Sequence, residues 1–175
     1  MEARLTKTVL IKEEAARALK ESESCSPERI AEFYGIWIRE EDLGSLPGVV
    51  VEYYGRKTII VNARLNPQER QIVIAHELGH CFLHEELLHD RQLFEFTLFN
   101  TKNTTEYEAN AFAAHLLIDT DEFLRDIQAG YSYIDLAPHF NVLPDLILVK
   151  VKELIKMGYQ MDLPDEPYSA CMADI

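Results

Sequence analysis

The chain has 175 residues, 47% of them hydrophobic, and its 17 basic and 30 acidic residues leave a formal net charge of −13. This length and composition predict one globular domain, with or without a short appendage, that buries a sizeable core. The acidic balance argues against direct DNA binding, which depends on Lys and Arg neutralising phosphates. It favours encounter with a basic partner, and DNA-binding proteins are one such class.

No targeting or membrane-spanning segment is predicted. The sequence has no run of about eighteen apolar residues, and acidic residues lie where a signal peptide needs an apolar core. Cys25, Cys81 and Cys171 form an odd and scattered set, which fits neither a disulfide framework nor a thiolate zinc site. We therefore expect a cytoplasmic protein.

Two helices and a small sheet are predicted before residue 63. Residues 8–22 have the pattern of an amphipathic helix, and Ser26 caps a second helix that starts at Pro27 and ends at Gly35. The period then changes from helical to alternating. It predicts a small antiparallel sheet of about three strands, at residues 36–39, 49–54 and 57–62.

The next helix begins with a strong start signal. Asn66 is a good N-cap, Pro67 suits the first helical position, and Glu69 completes a capping box. We expect this helix to run to about Leu87. It contains the stretch QIVIAHELGHCFLH at residues 71–84, whose apolar neighbours predict a helix enclosed by protein.

That stretch places two histidines and a glutamate at the spacing of a water-activating zinc site. His76 and His80 lie roughly 40° apart around the helix and about 6 Å apart along it, so both rings can reach one ion. A catalytic zinc takes three protein ligands and keeps a fourth position for water. Glu77, beside the pair, can act as the general base that takes the proton of this water. Gly79 predicts close approach of another backbone element.

The third ligand is sought on a later helix, which opens at Thr104 or Thr105. Glu106 and Glu108 are the candidates, and because they are two residues apart they point about 160° away from each other. Only one of them can face the ion. Helical geometry favours Glu108, whose face carries buried residue types (Phe112, His115 and Leu116), but it leaves Glu106 open. Either could instead be a solvated helix-start glutamate stabilised by the helix dipole.

The segments on either side of this helix are less regular. Residues 89–103 are too apolar for a free loop and predict a short strand or a flap over the cleft. Asp119 caps a short helix that ends near Ile127, and two further helices follow, at residues 133–141 and 143–157. This pair resembles a helix-turn-helix, but its charges balance. Packing on the core or gripping a protein substrate is therefore favoured over DNA reading.

The order of these motifs resembles the ImmA/IrrE family of metallopeptidases. The resemblance covers residues 49–117 and rests on the hairpin, the NPQER helix start, HELGHCFLH and EYEANAFAAHLL. It implies an α+β fold with a zincin-like core, in which His76 and His80 are zinc ligands, Glu77 is the general base and Glu108 is the third ligand. Many family members have Leu-Leu-Met-Pro where this chain has LLID at residues 116–119, which leaves the shape of the cleft rim open.

The resemblance also implies a function and a partner. We expect a zinc-dependent endopeptidase that cleaves a DNA-binding repressor of the helix-turn-helix type. Mn²⁺ or Fe²⁺ could occupy the same ligands. The alternatives are a non-catalytic protein that binds the repressor and uses the metal for stability, and a component of a toxin–antitoxin module. The expected organisation is a metallopeptidase domain at residues 1–128, a helical extension at 129–162 and a mobile acidic tail at 163–175.

Three further polar residues have open roles. His84 lies one turn beyond His80, where a fourth protein ligand would fill the position that water needs. It is therefore expected to support the ligands, touch substrate or simply end the helix. His115 invites the same interpretations. Asn110 could orient a ligand histidine or hydrogen-bond within its own helix.

Overall fold

The computed structural model of the chain describes residues 2–86, 104–161 and 163. The predicted flap at 89–103 and nearly all of the predicted tail lie outside these residues. The α+β class is confirmed, and no described helix is long and apolar enough to cross a bilayer. The elements in chain order are α1 (Glu2–Ser22), α2 (Pro27–Phe33), β1 (Trp37–Glu41), β2 (Gly48–Tyr53), β3 (Arg56–Asn62), α3 (Pro67–Leu83), α4 (Thr104–Leu117), α5 (Thr120–Gln128), α6 (Tyr133–His139) and α7 (Pro144–Lys156).

The three strands form a mixed sheet in the order β1-β3-β2. β2 runs antiparallel to β3, as predicted, but β1 runs parallel to β3. The expectation of a fully antiparallel sheet is therefore wrong. It assumed that strands adjacent in the chain are also adjacent in the sheet. β3 is instead inserted between β1 and β2, so the strand that follows the hairpin turn becomes the central one.

The loop between β1 and β2 is fixed to the end of the central strand. The side-chain amide of Asn62 donates to the carbonyl oxygens of Gly44 and Leu46, at 2.9 and 3.0 Å. The backbone N–H of Asn62 donates to the carbonyl of Pro47 at 2.8 Å. These bonds hold the crossing loop against the sheet and fix where β2 begins.

The predicted start of α3 is confirmed in detail. The Asn66 side chain accepts from the N–H of Glu69 at 2.9 Å, and the Glu69 carboxylate accepts from the N–H of Asn66 at 3.0 Å. These reciprocal bonds satisfy two backbone donors that a helix start would otherwise leave unpaired. The helix ends at Leu83, earlier than the predicted Leu87, with His84 as its C-cap.

α3 lies at the centre of the core. It packs against β2 and β3 on one side and against α4 on the other, and it is buried continuously from Ile72 to Cys81. The close approach predicted at Gly79 is confirmed. A Cβ atom at residue 79 would lie 2.9 Å from the Cα of Ala109 and 3.0 Å from its carbonyl oxygen, so glycine is required for α4 to come this near.

The C-terminal helices pack on the same core. More than half of α7 is buried, and it contacts α4 and α6. The fully buried ammonium of Lys150 donates to the Ile118 carbonyl at 2.8 Å, to Thr120 Oγ1 at 2.9 Å and to His115 Nδ1 at 3.2 Å. These bonds join α7 to the end of α4 and the start of α5. The domain boundary at residue 128 stays a prediction.

This cluster predicts a stability change below neutral pH. Burial, together with the charges of the Lys150 and Lys12 ammoniums, lowers the pKa of His115 to about 3. An unfolded histidine takes up its proton near pH 6.5, so folding stability is lost as pH falls from about 6.5 toward 3, by at most about 1.4 kcal/mol per pH unit. In that window the stability of His115→Gln should fall less steeply than that of the unmodified chain, as measured by urea denaturation.

His139→Gln, which replaces an exposed histidine, is the matched control and should leave the slope nearly unchanged. The slopes are compared below about pH 6, because burial lowers the pKa of Lys150 to about 7 and most of its titration lies above that range. Equal slopes for His115→Gln and the unmodified chain would show that His115 takes up its proton as readily in the folded state.

Candidate metal centre

His76, His80 and Glu106 converge at a buried point between α3 and α4. The Nε2 atoms of the two histidines lie 3.1 Å apart. One Glu106 oxygen lies 3.3 Å from His76 Nε2, and the other lies 3.3 Å from His80 Nε2. All three side chains are at least 97% buried. Among the described residues, they form the one group of three whose ligand atoms could hold a metal ion.

The spacing of these atoms fits one ion. Ligand atoms bound at about 2.0–2.1 Å in a tetrahedral arrangement lie roughly 3.3–3.4 Å apart, close to the separations found here. Within the described part of the chain, neither Glu106 oxygen has a hydrogen-bond partner of good geometry. A buried carboxylate without such partners is costly unless a cation faces it. The group therefore fits a metal ion in both distance and charge.

Glu108 lies elsewhere. Its carboxylate is 2.9 Å from His84 Nε2 and 3.0 Å from Lys7 Nζ. α4 turns Glu106 toward the histidine pair, and because Glu108 is two residues further on, it must point to another side. The structure thus brings Glu106, and not the sequence-predicted Glu108, to His76 and His80.

A signal for Glu106 was present in the sequence. Asn110 follows Glu106 by four residues and so shares its helix face. The Asn110 Oδ1 atom lies 2.9 Å from His76 Nδ1, which shows that this face is turned toward the histidine pair. A polar residue suited to orienting a ligand indicates the ligand face more directly than the apolar residues around Glu108.

The other two candidate histidines, His84 and His115, lie in different places in the fold. His84 is buried beside the pair, with its Nδ1 atom 3.1 Å from His80 Nδ1. His115 lies on a different side of α4 and accepts from Lys150, so it belongs to the polar cluster that attaches α7.

The Glu77 side chain extends from α3 to the first residues of β2. The backbone N–H of Val50 hydrogen-bonds its carboxylate. Its Oε2 atom is buried and has no hydrogen-bond partner among the described residues. A Cβ at Gly48 would lie 3.5 Å from Glu77 Oε1 and only 2.4 Å from Val73 Cγ1. Sequence reasoning missed Gly48, whose missing side chain lets β2 approach this carboxylate.

The two central carboxylates have opposite electrostatic surroundings. Burial raises the pKa of Glu77 well above its ordinary value, and the nearby Glu106 charge raises it further. Burial also raises the pKa of Glu106, but the close contacts of its oxygens with the His76 and His80 rings outweigh this and bring it to about 2. Glu106 is thus ionised as a metal ligand must be, whereas Glu77 has a strong affinity for a proton.

His80 and His84 favour the neutral form of the imidazole ring. Burial lowers the pKa of His80, a contact with Glu106 opposes the shift, and the charge of His76 adds to it. Burial likewise lowers the pKa of His84, against the raising effect of its bond to Glu108. Neutral rings leave one nitrogen lone pair free for an ion or for a hydrogen bond.

Comparison with known proteins identifies a family of peptidases. Residues 31–152 match the profile of the peptidase M78 family, described as the IrrE N-terminal-like domain. The chain is 34% identical over 121 residues to metallopeptidase ImmA of Bacillus subtilis (strain 168), covering 65% of this chain and 67% of that protein. It is 34% identical over 110 residues to uncharacterized immunity region protein 2 of Bacillus phage phi105, covering 62% and 68%.

The contact at Gly79 predicts that one methyl group can damage the site. Gly79→Ala gains about 1 kcal/mol of helix propensity, but the methyl meets the backbone of Ala109, which cannot rotate away. We expect a net loss of up to about 2 kcal/mol in the free energy of unfolding, because overpacking of this kind costs about 1–3 kcal/mol and the gain in helix propensity offsets about 1 kcal/mol of that cost. Affinity for a divalent metal ion should fall as well, since the separation of α3 and α4 moves Glu106 away from the histidines.

Chemical denaturation and a zinc competition titration measure the two effects. Gly79→Ser provides a graded comparison, because its larger side chain should produce a larger loss in both. Unchanged stability and affinity in both variants would contradict a contact that sets the helix separation.

Proposed function

We propose, on the premise that the chain belongs to the peptidase M78 family of metallopeptidases, that it is a zinc-dependent endopeptidase that cleaves a protein substrate. The observation that carries this proposal is the convergence of His76, His80 and Glu106 beside a carboxylate oxygen of Glu77 that has no hydrogen-bond partner among the described residues. Three ligands and a neighbouring base are the parts that hydrolysis of a peptide bond by a zincin needs.

The proposed metal ligands are His76, His80 and Glu106. Two imidazole nitrogens and one carboxylate suit zinc, and Mn²⁺ or Fe²⁺ could occupy the same donors. When bound, the ion would supply Lewis-acid polarisation of the scissile carbonyl and would lower the pKa of the attacking water. Glu106 is proposed here in place of Glu108, because its oxygens are the ones that face both Nε2 atoms.

Glu77 is proposed as the general base. Its buried carboxylate receives a proton from the attacking water and passes it to the leaving nitrogen of the substrate. Burial and the Glu106 charge both raise its pKa, which strengthens it as a base but favours protonation when no cation is near. A neighbouring positive charge offsets both causes. Glu77 is therefore expected to be ready for catalysis only in the metal-loaded protein.

β2 is the proposed docking strand for the substrate. Within the described sheet it has a neighbour on one side only, and its Val50 N–H already contacts Glu77. An extended substrate segment that pairs with the open edge of β2 would carry its carbonyl groups past the base. The close approach allowed by Gly48 keeps this edge near the site.

A DNA-binding repressor is the proposed substrate. The relative from phage phi105 is named as an immunity region protein, which supports a role in phage immunity control. The net charge of −13 suits encounter with a basic protein such as a helix-turn-helix repressor.

The sharpest test of catalysis is Glu77→Gln. The amide cannot accept the proton, so we expect cleavage of a repressor encoded beside this chain to fall by at least about 100-fold, the usual size of a general-base contribution. Zinc content should be retained, because Glu77 is not among the proposed ligands. The measurement is the rate of appearance of shortened repressor by mass spectrometry, together with metal analysis.

Glu13→Gln, at an exposed site on α1, is the matched control and should cleave normally. A fully metallated Glu77→Gln protein that cleaves at the original rate would refute the assignment of the base. A stoichiometric complex with no product from the unmodified chain would instead favour a non-catalytic repressor-binding protein.

The ligand assignment has its own test. Glu106→Gln removes a charged ligand and should weaken zinc binding by at least about 100-fold, whereas Glu108→Gln, in which an amide oxygen can still accept from His84, should weaken it by no more than about tenfold. Competition with a chromophoric chelator measures both dissociation constants. The reverse order of the two effects would identify Glu108 as the ligand.

A further inference from the structure

The outer nitrogens of both ligand histidines are engaged by residues that the proposed reaction does not use. His76 Nδ1 lies 2.9 Å from the side-chain oxygen of Asn110. His80 Nδ1 lies 3.1 Å from His84 Nδ1, and the other nitrogen of His84 lies 2.9 Å from Glu108. All of these groups are buried or nearly so, where an imidazole cannot borrow a partner from solvent.

The bond to Asn110 fixes the tautomer of His76. A side-chain carbonyl oxygen only accepts, so the proton of the neutral ring must be on Nδ1. The lone pair is then on Nε2, which is the atom that faces His80 and Glu106. Asn110 thus selects the form of His76 that can bind an ion.

A longer chain of hydrogen bonds gives the same result at His80. The Glu108 carboxylate accepts from His84 Nε2–H, so the neutral His84 ring has its lone pair on Nδ1. That lone pair accepts from His80 Nδ1–H, which leaves the lone pair of His80 on Nε2, 3.3 Å from Glu106.

Lys7 ends this chain on α1. Its ammonium lies 3.0 Å from the same Glu108 oxygen that His84 contacts. The ion pair and the His84 bond share one oxygen of the Glu108 carboxylate, and because a carboxylate oxygen only accepts, His84 must be the donor.

The same geometry argues against His84 as a ligand. Its Nε2 is occupied by Glu108 and its Nδ1 faces the outer nitrogen of His80, so neither nitrogen lies among the three converging ligand atoms.

We propose that Asn110 and the His84–Glu108–Lys7 chain are positioning residues that hold His76 and His80 in the Nδ1–H tautomer, with their Nε2 lone pairs aimed at the metal. This inference rests on the proposed metal site and deepens it. It gives the segment Glu106–Asn110 two tasks, since Glu106 binds the ion while Glu108 and Asn110 orient the two histidines of α3. α1 takes part through Lys7.

The test compares variants that remove or retain the acceptor. His84→Leu removes the acceptor for His80 Nδ1–H and should weaken zinc binding by about 10–100-fold, the usual effect of losing a group that orients a ligand. His84→Gln can still accept through its amide oxygen and should recover most of the affinity. Asn110→Leu and Asn110→Asp form the equivalent pair at His76, with recovery expected in the aspartate.

Lys7→Gln tests the far end of the chain without disturbing the core. Its side chain is half exposed, so we expect zinc binding to weaken by roughly two- to fivefold, the range for an exposed ion pair. His139→Leu replaces a histidine that pairs with Glu122 on the surface, and it should leave zinc affinity unchanged.

Two readouts that do not involve cleavage are used on the full chain. A chelator competition gives the zinc dissociation constant, and the absorption bands of the Co²⁺ form report the ligand set. Band positions should stay the same in His84→Gln and Asn110→Asp, because the ligands are unchanged.

The inference is overturned if the leucine variants bind zinc as tightly as the unmodified chain, or no more weakly than their polar counterparts. It is also overturned if the Co²⁺ bands of His84→Gln shift as they would on loss of a nitrogen ligand. Failure of the unmodified chain to bind zinc at all would be a different result, since it would remove the proposed metal site itself.

Discussion

The contact between Gly79 and the backbone of Ala109 is the constraint on which the rest of the site depends. The proposed ligands come from two helices, and an ion with bonds of about 2 Å tolerates little error in their separation. A helix interior without a side chain is the simplest way to bring two helix axes this close. Gly79 lowers the stability of α3 as a helix, but it allows α4 to come close enough to place Glu106 3.3 Å from His80.

The close packing of α3 and α4 also buries the polar side chains of the site, so that water does not solvate them. Glu77, Glu106 and the histidines lie in the same apolar core as the sheet and the C-terminal helices. Burial raises the pKa of Glu77 and lowers that of His80, and it strengthens the effect of any charge placed among these groups. Burying the proposed ligands His76, His80 and Glu106 without an ion destabilises the core, and the same three side chains would bind the ion.

Local signals in the sequence were sufficient for the elements but not for their arrangement. The capping residues Asn66 and Ser26 predicted helix starts, and the alternating pattern predicted three strands. Strand order depended on the insertion of β3, which no local pattern records. Helical periodicity separated Glu106 from Glu108 but could not say which face meets α3. Tertiary contacts determine which face of α4 meets α3. In the sequence, only Asn110, which shares a helix face with Glu106, indicated that face.

The helix contact at Gly79 also bears on how such chains can diverge. Since packing of α3 against α4 sets the separation of the proposed ligands, the residues that connect the two helices do not have to do so. Lengthening a flexible connection is thermodynamically mild, with each doubling costing about 0.6 kcal/mol in closure entropy. A change in the length of the connection between α3 and α4 can therefore leave the separation of the proposed ligands unchanged.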